Sequence, residues 1–446
     1  MEKNLTTGSV FRNLVCFALP YLLSYFLQTL YGLADLFIIG RFADVASTTA
    51  VSVGSQVMHM VTVVIVGLAM GTTVSIAHAV GAGDRAGAAR AVGNTVTVFA
   101  AAALVLTAVL VFLARPIAAV MSTPAEAVDG VVRYLTICFL GIPFITAYNV
   151  ISSVFRGLGD SKSPMIFIAI ACAVNIGLDV LFMGPLALGP AGAALGTTLS
   201  QAVSVAVSLA VVLRRRSLGL TGADLRPDRA VTGRILRVGL PVAAQDGLIQ
   251  VAFLLITVIA NRRGLTDAAA VGIVEKFISF LFLVPSSMLS AVSALGAQNF
   301  GAGKPERARR TLAWAICFSV GFGLCAAAVV RFAAEDIVGL FTDAEGSVAV
   351  IRAGGQYLRG YVWDCVFAGV HFCFSGYFCA YGKSGLSFLH NILAIVLVRI
   401  PGAYWTSTAF PDTLLPMGLA TAAGSLLSAL ICAAAFALLR KKEKKA

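Results

Sequence analysis

Apolar runs long enough to cross a bilayer recur along almost the whole chain, at 13–38, 50–77, 92–113, 130–154, 164–183, 191–213, 235–260, 268–296, 311–333, 356–380, 385–405 and 416–439, with short polar turns between them. A helix needs about 20 predominantly apolar residues to span the hydrocarbon layer. The pattern therefore predicts twelve transmembrane helices. Strands also cross membranes, but barrel strands are short and alternate apolar with polar residues, whereas these runs are continuously apolar and rich in Ala, Leu, Val and Gly. The expected class is an all-α integral membrane protein. A long span begins directly after MEKNLTTGSVFRN, without a short apolar core and small-residue cleavage site, so it is expected to remain in the mature protein.

The longest polar stretch, RRRSLGLTGADLRPDRAVTGR at 214–234, falls between the sixth and seventh runs and reads as a linker. It divides the chain into an N-terminal six-helix lobe at 1–213 and a C-terminal six-helix lobe at 235–439, followed by a basic tail at 440–446. The lobes share a plan. FALPYLLSYFLQTLYGL opens the first and VGLPVAAQDGLIQVAFL the second, setting Pro20 against Pro241. AVGAGDRAGAAR, with Gly81 and Gly83, matches NFGAGKPERARR, with Gly301 and Gly303; FRGLGDSKSPMIF, with Gly159 and Lys162, matches the shorter CAYGKSGLSF, with Gly382 and Lys383. A glycine loop alone ends a helix, but three ordered matches at a nearly constant offset point to duplication. An even number of spans per lobe keeps both copies in one orientation, which predicts a pseudo-twofold axis along the membrane normal, an arrangement found chiefly in transporters.

Composition and charge refine this reading. Residues are 59% hydrophobic and only 12% charged, with a mean hydropathy of +0.91, far too apolar for a soluble globular protein. The net charge of +12 raises nucleic acid as a partner, and its placement decides otherwise. Counted by alternate loops, 23 Lys and Arg residues lie on the side of the N-terminus and 8 on the other. The bias reports topology: both termini are expected in the cytoplasm, and no nucleic-acid partner is expected. The nine cysteines all lie inside apolar runs without a CxxC pair, so they read as core fillers, supporting neither a disulfide framework nor a metal cluster.

The segments FALPYLLSYFLQTLYGLADLFIIGRF, FRGLGDSKSP and GAQNFGAGKPERAR together resemble the multidrug and toxic compound extrusion (MATE) transporters over nearly the whole chain. The resemblance implies two six-helix bundles and export of organic, often cationic, compounds driven by an inward flow of protons or sodium ions. It implies no cofactor beyond that coupling ion.

Candidate chemistry centres on Asp179, the lone charged residue in PMIFIAIACAVNIGLDVLFM. A carboxylate at membrane depth costs at least about 2.5 kcal/mol and usually faces a polar cavity. Asn175 lies one turn before it on the same helix face. About the turn GPLALGP, Asp179 and Thr197 reach similar depth on antiparallel neighbours, and Asp35, five residues before Gly40, reaches a comparable one. Two carboxylates, an amide and a hydroxyl suit a hard cation such as sodium, and a proton is equally compatible, since burial and a neighbouring carboxylate both favour protonation. The resemblance points to the same four residues. In the second lobe, Asp246, Glu275, Asp364 and Arg399 are candidates for a further ion or substrate site, with Glu275 and Arg399 able to neutralise one another. Gln28, Tyr31, Gln56, Met58, Gln245, Gln250 and Phe280 are candidate substrate-cavity residues, combining aromatic, thioether and amide groups suited to amphipathic ligands.

The expected function is a monomeric secondary antiporter that exports small amphipathic, cationic compounds by alternating access across the plasma or inner membrane. A flippase for a lipid-linked sugar is the alternative within the superfamily. It would favour a strongly cationic cavity for pyrophosphate, whereas Arg399 and Lys276 are the only basic residues more than three positions inside the apolar runs. A membrane-embedded prenyl transferase is more distant, because no DDxxD-like pair, P-loop, HExxH or GxSxG is suitably placed, so an enzyme is not expected.

Overall fold

The computed structural model describes residues 4–215, 221–342 and 348–443. Parts of the expected linker and tail, including 216–220, Lys444 and Lys445, lie outside the described residues. Among the described residues the chain is helical: α1 (Val10–Phe42), α2 (Val45–Gly81), α3 (Arg85–Val120), α4 (Val128–Leu140), α5 (Ile142–Gly157), α6 (Lys162–Met183), α7 (Pro190–Arg215), α8 (Arg229–Asn261), α9 (Leu265–Leu281), α10 (Leu283–Gly301), α11 (Pro305–Gly339), α12 (Val348–Tyr361), α13 (Trp363–Ala380), α14 (Gly385–Ala394), α15 (Ile400–Ala409) and α16 (Leu415–Glu443). Among the described residues, eleven spans are long and apolar enough to cross a membrane, counting α9 with α10, α12 with α13 and α14 with α15 as one each. The pair formed by α4 and α5, bent by 47°, makes the twelfth. The twelve-helix expectation is met.

The breaks inside spans have local causes. Gly141 separates α4 from α5, and Pro143 follows in the first turn of α5, where its missing N–H is no loss. The corresponding break between α12 and α13 falls at Val362, 221 residues later. Ile395–Arg399 forms a π turn between α14 and α15. Pro401, just beyond it, has no N–H to donate and its ring crowds the preceding carbonyls, which opens the helix there.

The duplicated loops fold alike. Gly83 and Gly303 take φ of +72° and +69°, and Gly159 and Gly382 take +86° and +75°, the left-handed region that glycine enters without a Cβ penalty. Each follows the last turn of a helix and lets the next N–H reach back five residues: Asp84 to Ala79, Lys304 to Asn299, Asp160 to Phe155 and Lys383 to Phe378, at 2.8 or 2.9 Å. This closure satisfies carbonyls that a helix end otherwise leaves bare.

The chain divides into two compact units. Unit 1 holds residues 4–5 and 19–243, and unit 2 holds 6–18 and 244–443. α1 and α8 are thus each divided near their prolines, Pro20 and Pro241. In unit 1, α2 packs against α3, α4 and α5, while α6 and α7 lie side by side, joined by a hydrogen bond of 3.0 Å from Ser204 Oγ to Phe167 O. The connection into α8 is pinned to α3, since Asn94 Oδ1 accepts the Asp228 N–H at 2.6 Å. In unit 2, α13 is central, against α10, α11 and α16. The N-terminal segment is clamped there by Lys304 Nζ on Thr6 O at 3.0 Å and by Arg307 on Thr7 O and Gly8 O at 2.7 and 2.8 Å.

Candidate ion-coupling site

Unit 1 brings together the four residues singled out at the start. Asp179 is fully buried on α6, and Asn175 and Asp35 are 1% and 3% exposed. Thr197 on α7 donates its hydroxyl to Asp35 Oδ2 at 3.3 Å. The two carboxylates and the Asn175 amide adjoin one another, yet Asp35 Oδ1, both oxygens of Asp179 and both polar atoms of Asn175 have no hydrogen-bond partner. Among the described residues no basic side chain is paired with either acid. A buried charge is tolerated when it is paired or neutralised. This cluster offers acceptor oxygens without a compensating cation of its own, which is the chemistry of a cation or proton site.

The approach of α7 to α6 depends on Gly196, which the sequence reading did not single out. A Cβ at Gly196 would overlap Asp179 Oδ1, and one at Gly192 would meet Phe182 Cβ at 3.1 Å. The spacing of Gly192 and Gly196 is the small-residue pattern that lets membrane helices pack closely, and it was the available signal.

The second-lobe candidates separate. Arg399 Nη2 donates to Asp364 Oδ2 at 3.2 Å and to the Tyr361 hydroxyl at 2.9 Å, with its guanidinium 5.3 Å from the centre of the Phe253 ring. The arginine thus pairs with Asp364, not with Glu275 as the sequence suggested. Geometry explains the change: the π turn and the break at Val362 bring Arg399 and Asp364 to one level. Glu275 instead accepts the Thr257 hydroxyl at 3.1 Å. Asp246, half-buried on α8, has no bond to any of these three.

The cavity candidates fall in different settings. Gln28 and Tyr31 are half-buried, Gln56 is exposed, and Met58 is packed into the core of unit 1 beside Tyr134 and Cys138. In unit 2, Gln250 and Phe280 are half-buried, while Gln245 is 1% exposed with both amide atoms unpartnered.

The family model described as MatE matches residues 20–181 and again residues 241–405. The chain belongs to the MatE family. The two matched segments begin 221 residues apart, the offset between Pro20 and Pro241. Among curated relatives, the chain is 28% identical to the Probable multidrug resistance protein YpnP of Bacillus subtilis, over 89% of this chain and 88% of that one. It is 27% identical to the Probable multidrug resistance protein NorM of Thermotoga maritima, over 74% and 72%. It is 24% identical to the Multidrug export protein MepA of Staphylococcus aureus, over 88% and 86%. Among solved structures, a MATE protein in complex with MaL6 superposes with a TM-score of 0.92 at 22% identity, covering 99% of both chains. A MOP superfamily transporter from Pyrococcus furiosus gives 0.90 at 23%, covering 96% and 95%. This MatE protein is therefore a multi-pass membrane transporter with the twelve-helix MATE fold, and not an enzyme.

Proposed function

We propose that this MatE protein exports small amphipathic, cationic organic compounds in exchange for protons or sodium ions, working as a monomer by alternating access. Asp35, Asn175, Asp179 and Thr197 bind the coupling ion. The observation that carries the reading is the pair of buried carboxylates with unpartnered oxygens and, among the described residues, no basic partner. Sharing a cation or proton between them relieves a cost of several kcal/mol, so ion occupancy and the energy of unit 1 are linked, as coupling requires. The names of the curated relatives support a multidrug substrate range. The bias of basic residues supports cytoplasmic termini in a plasma or inner membrane.

The test is uptake of a fluorescent organic cation into proteoliposomes under imposed proton and sodium gradients, for the wild type and Asp179→Asn. The asparagine removes the charge with little change of shape. Transport that responds to one gradient in the wild type, and to neither in the variant, is expected. Gradient-driven transport persisting in Asp179→Asn refutes the assigned role. Turnover of a lipid-linked pyrophosphate in place of cation transport favours the flippase reading.

A further inference from the structure

A tyrosine face in unit 1 already holds a cation, and it lies outside the four residues assigned to coupling. Tyr21, the residue after Pro20 on α1, is buried, and the guanidinium of Arg156 on α5 stands over its ring, 4.2 Å from the centroid. Tyr25, one turn further along α1, is half-buried, and its ring lies 6.0 Å from that of Tyr21 with a tilt of 43°. Residues four apart share one side of a helix, so the two rings form an aromatic wall. Tyr21 precedes Asp35 by 14 residues, which is about 21 Å along a helix rising 1.5 Å per residue. The wall and the ion site are therefore separate.

Arg156 is an unusual occupant. It is 7% exposed, yet among the described residues it makes no ion pair. Asp160, the nearest carboxylate along the chain, serves the start of α6 instead, accepting the N–H groups of Lys162 and Ser163 at 3.0 and 3.2 Å and the Ser163 hydroxyl at 2.7 Å. Arg399, the buried arginine of unit 2, has its carboxylate, Asp364, at 3.2 Å. An arginine is rarely buried unless paired, so in unit 1 the tyrosine face stands where a carboxylate would otherwise be needed. The side chain also has a way out. Arg156 is the penultimate residue of α5, Ile142–Gly157, and from a helix end its long stem can carry the charged head to water. The exposed ring face then selects what replaces it. It offers no oxygen ligands to strip water from a metal ion, whereas a weakly hydrated organic cation, a guanidinium or a substituted ammonium, binds over an aromatic face.

We propose that Tyr21 and Tyr25 form a binding site for organic cations at the cytoplasmic end of unit 1, and that Arg156 occupies it as an internal surrogate that a substrate displaces. The inference rests on the export reading above and gives its substrate class a place. Cations with delocalised or alkyl-shielded charge exchange with the guanidinium, and uncharged analogues of the same shape do not. Entry of the substrate returns Arg156 to water, so the cost of burying that charge is relieved as the ligand binds.

The test is equilibrium binding of ethidium to the full chain in nanodiscs, without any ion gradient and after subtraction of empty nanodiscs, beside uncharged phenanthridine as the control ligand. Arg156→Gln uncovers the ring and should tighten ethidium binding by roughly 3- to 30-fold, leaving phenanthridine unchanged. Arg156→Met, which keeps the apolar stem without the charge, should give the same gain, and size exclusion and Tm check that each variant is folded. Adding Tyr21→Leu should abolish the gain, whereas Tyr21→Phe, which keeps a ring, should retain it. The gain should also appear in an Asp179→Asn background, which holds this result apart from coupling, because loss of coupling leaves binding without a gradient unaltered. Unchanged or weaker ethidium binding in the folded Arg156 variants, a gain that survives Tyr21→Leu, or an equal gain for phenanthridine overturns the proposal. Absence of ethidium binding in every variant overturns it together with the cationic substrate class, while leaving the ion site to its own test.

Discussion

Gly196→Ala separates the geometry of the unit 1 site from its residue types. The added methyl overlaps Asp179 Oδ1 while standing 3.2 Å from Cγ and 3.5 Å from the backbone nitrogen of the same residue. Only the far oxygen is in the way. The carboxylate is therefore expected to rotate aside by more than about 1 Å, with the helices staying together, at an overpacking cost of about 1–3 kcal/mol. If that displacement falls on the ion-bound arrangement, it weakens ion affinity by roughly 5- to 150-fold, since about 1.4 kcal/mol is tenfold. The assay is transport in proteoliposomes as a function of the driving-ion concentration, read as a shift in the half-activating value. Gly177→Ala is the control: it lies two residues from Asp179 on α6, and a Cβ there meets nothing within 4 Å, so it should behave as wild type. The double variant Gly196→Ala/Asp179→Asn should be no worse than Asp179→Asn alone, because both act through one carboxylate. Wild-type ion dependence in Gly196→Ala, or losses that simply add in the double variant, would refute the reasoning.

Other consequences are equally open to measurement. Thr197→Val loses the hydroxyl that bonds Asp35 and should weaken coupling by roughly 3- to 10-fold, at about 1 kcal/mol for one hydrogen bond, while Thr197→Ser restores it in the same assay. Asn94→Ala leaves the Asp228 N–H without its acceptor and should cost about 1–3 kcal/mol, seen as a lower Tm with unchanged ion dependence. Asp44 caps α2 outside the membrane, and the Ser47 hydroxyl and N–H hold its carboxyl below the usual carboxylate range. A lowered folded-state value means that its contribution is complete above the ordinary pKa of about 3.9 and is lost as pH falls through the lowered one. Asp44→Asn, still a good cap, should therefore flatten the acid limb of a Tm-versus-pH curve.

Much of this protein was readable because membranes restrict what a chain can do. Backbone groups in hydrocarbon must bond internally, so an apolar run of the right length is a helix, and the twelve runs correspond to the twelve spans. The duplication was readable because left-handed glycines recur where helices must stop, as at Gly83 and Gly303. Asp35, Asn175, Asp179 and Thr197 could be gathered on paper because depth in a span is counted along the helix from its loop. The Arg399 pairing could not. Level along a helix is legible, but the direction a side chain takes after a break is not, and Val362 and the π turn at Ile395–Arg399 redirect Asp364 and Arg399 toward each other.

By itself the sequence determined the class, the number of spans, the repeat and the acids that a bilayer makes too costly to leave idle. Tertiary structure decided which of those charges are already paired. In unit 2 an arginine occupies one carboxylate, whereas in unit 1, among the described residues, two carboxylates stand without a basic partner where Gly196 lets α7 close onto Asp179. Pairing depends on distances of a few ångströms between segments far apart in the chain, and spacing along one helix does not encode them.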